Sequence, residues 1–205
     1  MTRGRLDGRI ALVTGASRGI GRAVARRFAA EGAELILLAR TSGGLEEADD
    51  EIRAAGGARA MLVPLDLCQG DLLDQLGAAL HERFGRLDIL VGNAAMLGGL
   101  CPVGHYSPEV WEQVIATNLT ANWRLIRSLD PLLRQSDAGR AMFVTSGVTE
   151  GTPPPYWSAY TASKAALEAL VRTYAAELKR TNLKVNIIDP GAAATNMRAE
   201  AFPAK

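Results

Sequence analysis

The sequence predicts an α/β fold, a doubly wound parallel sheet in a single domain over residues 1–205, and three observations carry that reading. Apolar runs of four to six residues alternate with longer amphipathic stretches, the pattern of strands buried on both faces and covered by helices. Glycines stand where several of the helical stretches should stop. With 48% hydrophobic and 22% charged side chains, 205 residues suffice for a sizeable core and are far from a disordered composition.

In chain order, strands are read at 9–13, 35–39, 60–64, 87–91, 141–145 and 184–188, and helices at 20–31, 45–55, 71–84, 108–133 and 159–180. Gly32, Gly56 and Gly85 follow three of these helices, and Ser107-Pro108 supplies an N-cap and a first-turn proline for a fourth. Pro153-Pro154-Pro155 reads as a stiff loop. Residues 191–205 are mostly small and end near Phe202-Pro203 with neither period, so the expected fold lacks a C-terminal strand and lid.

Composition narrows the function classes. The net charge of +1 offers no field for nucleic acid or an anionic membrane. Cys68 and Cys101 stand apart from any metal-ligand cluster, and no run approaches the 18 or so apolar residues of a membrane span. Arg3, Arg5 and Arg9 precede too short an apolar run for a secretory signal. A cytoplasmic protein acting on a small molecule is the expectation.

The first strand runs into Thr14-Gly15-Ala16-Ser17-Arg18-Gly19-Ile20-Gly21, which opens a helix. Gly15 allows a tight turn, Gly19 clears the approach of a pyrophosphate, and Gly21 permits close packing of the helix, whose free N–H groups suit an anion. A turn serving topology alone is the plainer alternative. About 20 residues on, dinucleotide folds of the Rossmann type place an acid on the ribose 2′-hydroxyl. Arg40 stands there instead, able with Arg18 to pair a 2′-phosphate, so NADP(H) is favoured, with NAD(H) possible.

Tyr160 and Lys164 are four apart at the start of a helix and so share one face. A tyrosine with a reference pKa near 10 needs about 3–4 kcal/mol of phenolate stabilisation to act as a base near neutrality, which a neighbouring ammonium can supply.

Asp66 after the third strand, Asn93-Ala94 after the fourth, Asn118 in the long helix, Ser146 after the fifth and Pro190-Gly191 after the sixth complete a set. Together with the glycine turn and Tyr160-x-x-x-Lys164, this set resembles the short-chain dehydrogenase/reductase family in order and in strand-end placement over about residues 9–197. The resemblance implies an oxidoreductase that moves a hydride between NADP(H) and a carbonyl or secondary alcohol. Tyr160 would be the general acid/base, Lys164 its electrostatic partner and a ligand of the nicotinamide ribose, Ser146 the holder of the substrate oxygen, and Asn118 the anchor of a water leading to Lys164. Asp66 would meet the adenine amino group, Asn93 would support the adenosine side, and Pro190, Gly191 and Thr195 would face the nicotinamide.

The sequence departs from the family pattern in three places. Gly92-Asn93-Ala94-Ala95 replaces the usual Asn-Asn-Ala-Gly, removing an amide that would serve sheet-end hydrogen bonding. Ser146 and Tyr160 are one residue further apart than is common, which leaves Thr145 or Thr149 as stand-ins for the serine. The stretch past Thr195 is short, so a non-catalytic cofactor-binding scaffold or a redox-sensing module is the alternative to an enzyme. A sugar-nucleotide epimerase or dehydratase is a further one, with too little chain for its substrate domain.

His81 and His105 read as non-catalytic, Trp111 and Trp123 as packing residues, and Tyr156 and Trp157 as either pocket or packing. Cys101 reads as an exposed thiol. Ala121, Leu125, Leu129, Ala165, Ala169, Leu170 and Tyr174 leave an apparent excess of apolar surface on two helices, and the family's matching helices pair across a two-fold axis, so a homodimer or homotetramer is expected.

Overall fold

Strand alternation sets the layers. Along β1 (Ile10–Thr14) and β2 (Glu34–Ala39), Ile10, Leu12, Ile36 and Leu38 face one side, while Ala11, Val13, Leu35 and Leu37 face the other, and all eight are buried. A strand apolar on both faces needs cover on both. Helices α1 (Gly19–Ala30) and α2 (Ser42–Ala54) cover the second face through Ala25, Leu45, Ala48 and Ile52. Helix α3 (Gly70–Phe84) covers the first, with α5 (Ala121–Arg134) and α6 (Ser158–Glu177) beside it. The remaining elements are β3 (Met61–Pro64), β4 (Ile89–Gly92), α4 (Pro108–Ile115), β5 (Arg140–Val144), β6 (Lys184–Ile188) and α7 (Asn196–Ala201). This computed structural model describes residues 4–202; Arg3, Pro203 and the rest of 1–3 and 203–205 lie outside the described residues.

The six strands are parallel in the order β3-β2-β1-β4-β5-β6. Leu12 of β1 pairs with Ile36 of β2 on one side and Leu90 of β4 on the other. The chain therefore reverses its winding between β1 and β4, and ligands of such sheets bind outside the carboxyl ends at that switch point. At the opposite end, the fully buried Asp88 accepts from the Ile10 backbone (2.9 Å), Ser136 (2.6 Å), Arg9 (3.0 Å) and Arg86 (3.2 Å). The end remote from the switch point is thus tied by a paired charge.

Most predicted elements appear within one or two residues of their expected bounds, and Gly32, Gly56 and Gly85 all take positive φ just past helix ends. Ser107 caps α4 by accepting from the Val110 N–H at 3.3 Å. Two expectations are corrected. The helix read over 108–133 is two helices joined by one π turn, Ala116–Thr120, and the extra backbone atoms of that turn carry Asn118 into the interior. The stretch after residue 191 is not featureless, because Thr195 accepts from the Arg198 N–H (3.2 Å) and starts α7, whose six residues are too few to show a helical period. Ala121, Leu125, Leu129 and Tyr174 belong to the chain's own core, which leaves Ala165 and Ala169 exposed on α6 and Trp111 and Trp123 partly exposed on α4 and α5. No helix among the described residues is long and apolar enough to cross a membrane.

Candidate active site

The glycine turn joins β1 to α1 at the switch point. Gly15 has φ +64°, and a Cβ there would lie 2.8 Å from the Asn93 amide nitrogen and 3.0 Å from the Ala94 Cα. At Gly21 a Cβ would lie 2.3 Å from the Gly15 carbonyl oxygen, so the helix start and the turn touch through backbone alone. Gly19, at φ +55°, instead opens toward Thr195, whose methyl would be 3.4 Å from an added Cβ. The turn and the segment after β6 thus face each other across Gly19. Ser17 packs on the start of α2, where a Cβ at Gly44 would stand 2.8 Å from its own, and Ile20 is half-buried at the first turn of α1.

Arg18 and Arg40 are both exposed, one preceding α1 and the other following β2, and neither side chain has a hydrogen bond or ion pair among the described residues. Other arginines in this region are engaged: Arg22 pairs Glu51 at 2.7 Å and Glu47 at 3.1 Å. Asp66 accepts from the Cys68 N–H at 2.9 Å, capping the turn after β3. Asn93 is spent on the sheet: its amide donates to the Thr14 carbonyl (2.9 Å), while the Thr14 hydroxyl accepts from the N–H groups of Asn93 (2.9 Å) and Ala94 (3.0 Å). The sheet end is therefore tied despite Gly92. A side chain at 92 has no room, since its Cβ would meet Phe143 at 2.5 Å and the Asn122 amide oxygen at 2.7 Å. Asn122 thus fills the space of the missing amide, a role the sequence did not announce.

The start of α6 and the end of β5 bring Tyr160, Lys164 and Ser146 together. Tyr160 is buried, with Ser146 beside it. Burial pushes its hydroxyl above the ordinary tyrosine value, the Ser146 hydroxyl pulls it back, and the charge of Asp189 pushes it further up. The expected lowering by Lys164 is not what governs Tyr160 here, because burial dominates. Lys164 is 2% exposed; its Nζ donates to the Val144 carbonyl at 2.7 Å and lies 5.7 Å from the centre of the Tyr160 ring. Burial lowers this ammonium from 10.5 to about 8, against the opposing charge of Glu168. Thr145 and Thr149 do not stand in for Ser146, because both donate to Glu168, at 2.6 and 2.5 Å.

Asn118 is fully buried. Its amide nitrogen donates to the Met96 carbonyl (2.9 Å) and to Ser163 Oγ (3.0 Å), and its oxygen accepts from the Met96 N–H (2.9 Å). It reaches the helix at Ser163, one residue before Lys164, and pins the chain leaving β4. Pro190 and Gly191 are exposed, and a turn in which the Gly191 N–H donates to Asp189 (2.9 Å) leads to Thr195.

An apolar cluster, of which the sequence reading singled out only Trp157, closes over the tyrosine. Leu97, Val148, Met197 and Ala201 pack around Tyr160, and Trp157 sits edge-on to Tyr160 at 6.0 Å and against Phe202 at 5.9 Å. Tyr156 is exposed with φ +72°, a strained conformation for a tyrosine. Its carbonyl accepts from the Cys101 N–H at 3.0 Å, latching the 96–107 loop to the start of α6 and leaving Cys101 partly buried rather than exposed. His81 and His105 are exposed, and no cluster of metal-ligating side chains occurs among the described residues.

Comparison with known proteins defines the class. A model of the short chain dehydrogenase family matches residues 9–205. An oxidoreductase of Escherichia coli K12 called YciK, described as uncharacterised, is 40% identical over 201 residues, covering 97% of this chain and 79% of its own. An uncharacterised NAD-dependent oxidoreductase of Mycobacterium tuberculosis is 37% identical over 206 residues, covering 95% of this chain and 74% of its own. A crystal structure described as a short chain dehydrogenase of Shigella flexneri, complexed with NADP, superposes with a TM-score of 0.94 at 39% identity, covering 99% of this chain and 85% of that one. The chain belongs to the short chain dehydrogenase family and is an oxidoreductase of that family.

Proposed function

We propose that the chain binds NADP(H) across the β1/β4 switch point and reduces a carbonyl, or oxidises the corresponding secondary alcohol, on a small molecule. The observation that carries this reading is the meeting of Tyr160, Ser146 and Lys164 at the same sheet end as the glycine turn. The residues fit the cofactor: Gly15 and Gly21 leave backbone where a side chain would collide, Gly19 is open, and Arg18 and Arg40 are unpaired cations suited to a 2′-phosphate. The similar Shigella flexneri chain was solved with NADP, and the Mycobacterium tuberculosis relative is described as NAD-dependent, which keeps NAD(H) as the alternative ligand.

When bound beside Tyr160, the nicotinamide would supply or take the hydride at the carbonyl carbon. Ser146 and Tyr160 donate hydrogen bonds to the substrate oxygen, and Tyr160 passes its proton to that oxygen as the alcohol forms. Its raised pKa keeps the hydroxyl protonated near neutrality, the state from which it can donate to the substrate oxygen. Lys164 stabilises the phenolate left behind, and Asn118 holds the Met96 and Ser163 positions that frame it. Leu97, Val148, Trp157 and Met197 exclude water from the tyrosine and favour apolar groups beside the carbonyl. Tyr160→Phe should cut NADPH-dependent carbonyl reduction on the order of 100-fold or more while leaving the NADPH Kd unchanged; retained turnover would overturn the assignment.

A further inference from the structure

Glu168 is 8% exposed and lies one helical turn beyond Lys164 on α6. Its Oε1 accepts from Thr145 (2.6 Å) and Thr149 (2.5 Å), and its Oε2 accepts from Arg172 (2.8 Å), whose side chain is 71% exposed. Thr145 precedes Ser146 and Thr149 ends the short turn that follows it, Gly147–Thr149, so one carboxylate grips the Ser146 segment on both flanks. A buried carboxylate is a costly way to hold two hydroxyls, and a neutral amide would accept the same bonds. What only the carboxylate supplies is charge.

We infer that Glu168 is a positioning residue of the site: it fixes the turn that carries Ser146 and sets a negative charge one helical turn from Lys164. This rests on the Tyr160–Lys164 reading above. The groups around the lysine agree. On α6 itself stand Glu168, Arg172 and Tyr160; from β5 and the turn after it come the neutral Val144 carbonyl, Thr145 and Thr149; from the π turn comes Asn118, which meets Ser163; and past β6 stands Asp189, which acts on Tyr160. Among the described residues, Glu168 is the charged group whose field opposes the burial of Lys164 and favours its ammonium form.

The test reads the lysine directly. The sequence has four lysines, so carbon-13 labelled lysine gives a simple NMR titration, with Lys164→Met assigning the signal. In the wild-type chain the Lys164 signal should titrate near 8, and Glu168→Gln, which keeps both threonine bonds and removes the charge, should move it down by about one pH unit. An unmoved titration would overturn the inference. Thr145→Val, which leaves the charge and removes only the Thr145–Glu168 bond, should lower kcat for carbonyl reduction about tenfold with an unchanged NADPH Kd and Lys164 titration; an unchanged kcat would overturn the tether and keeps the idea testable if Glu168→Gln does not fold. A chain inactive toward every carbonyl would count against the proposed function, while the NMR titration would still decide the charge.

Discussion

Replacing Arg40 by Asp tests the cofactor preference at a position where the structure permits a clean magnitude. Arg40 is exposed and has no partner among the described residues, so its removal orphans nothing, and stability should stay within about 0.5 kcal/mol. Exposure also fixes the dielectric: two unit charges about 4 Å apart in water interact by about 1 kcal/mol. A phosphate monoester carries roughly −1.5 to −2 charges, and the substitution changes the local charge by two, giving a loss of about 3 to 4 kcal/mol at low ionic strength. That is on the order of 100- to 1000-fold in NADPH affinity. At physiological salt the screening length is about 8 Å, which leaves about 2 kcal/mol, or roughly 30-fold. NADH lacks the phosphate and gains an acceptor for its 2′-hydroxyl, so its affinity should hold or rise by a few-fold. Nicotinamide fluorescence titrations of both cofactors at low and physiological salt measure this. Equal weakening of NADPH and NADH, or a loss indifferent to salt, would refute the placement of Arg40 beside the phosphate.

Two further outcomes follow from the same geometry. Gly21→Ala puts a methyl 2.3 Å from the Gly15 carbonyl, a backbone atom that cannot rotate away; the overpacking of about 1–3 kcal/mol should outweigh the helical gain of alanine, lowering Tm by several degrees and weakening NADPH, and a raised Tm would show that the contact yields. Lys164, ordinarily near 10.5, sits at about 8 when folded, so between those values the unfolded chain binds more protons and the lysine's contribution to stability rises with pH. The difference in unfolding free energy between wild type and Lys164→Met, followed by urea denaturation from pH 7.5 to 10.5, should therefore grow in favour of wild type by up to about 3 kcal/mol, and a flat difference would show that the lysine is not desolvated.

The strands and most helices were legible because burial on both sheet faces writes apolar runs into the sequence, and because glycines at 32, 56 and 85 mark helix ends that need positive φ. The residues singled out by type in the sequence, Tyr160, Lys164, Ser146 and the glycine turn, lie at one end of the sheet, where they make up the proposed site. What stayed hidden depends on packing. Asn118 was singled out, but not the π turn that buries it, since one extra residue in a turn leaves no trace in the apolar period. Asn122 could not be connected with Gly92, 30 positions earlier, without the fold that brings them together. Helix α7 is too short to declare itself, so the cover over Tyr160 was missed. Glu168 did leave a signal, a carboxylate four residues past Lys164, but that spacing is common on helix surfaces and only burial distinguishes this case.

The protonation states of the site follow from one cause acting on two groups of opposite sign. Burial opposes charge, so it raises Tyr160, lowers Lys164 and favours the neutral form of each. In the proposed reaction, transfer of the tyrosine proton would reverse this preference: a phenolate beside Lys164 would make the ammonium a partner instead of an isolated cation, each charge compensating the desolvation of the other. The lysine must still be protonated when that moment arrives, which at about 8 is a narrow margin above neutrality. On the inference above, the carboxylate of Glu168, only partly answered by the exposed Arg172, would widen that margin.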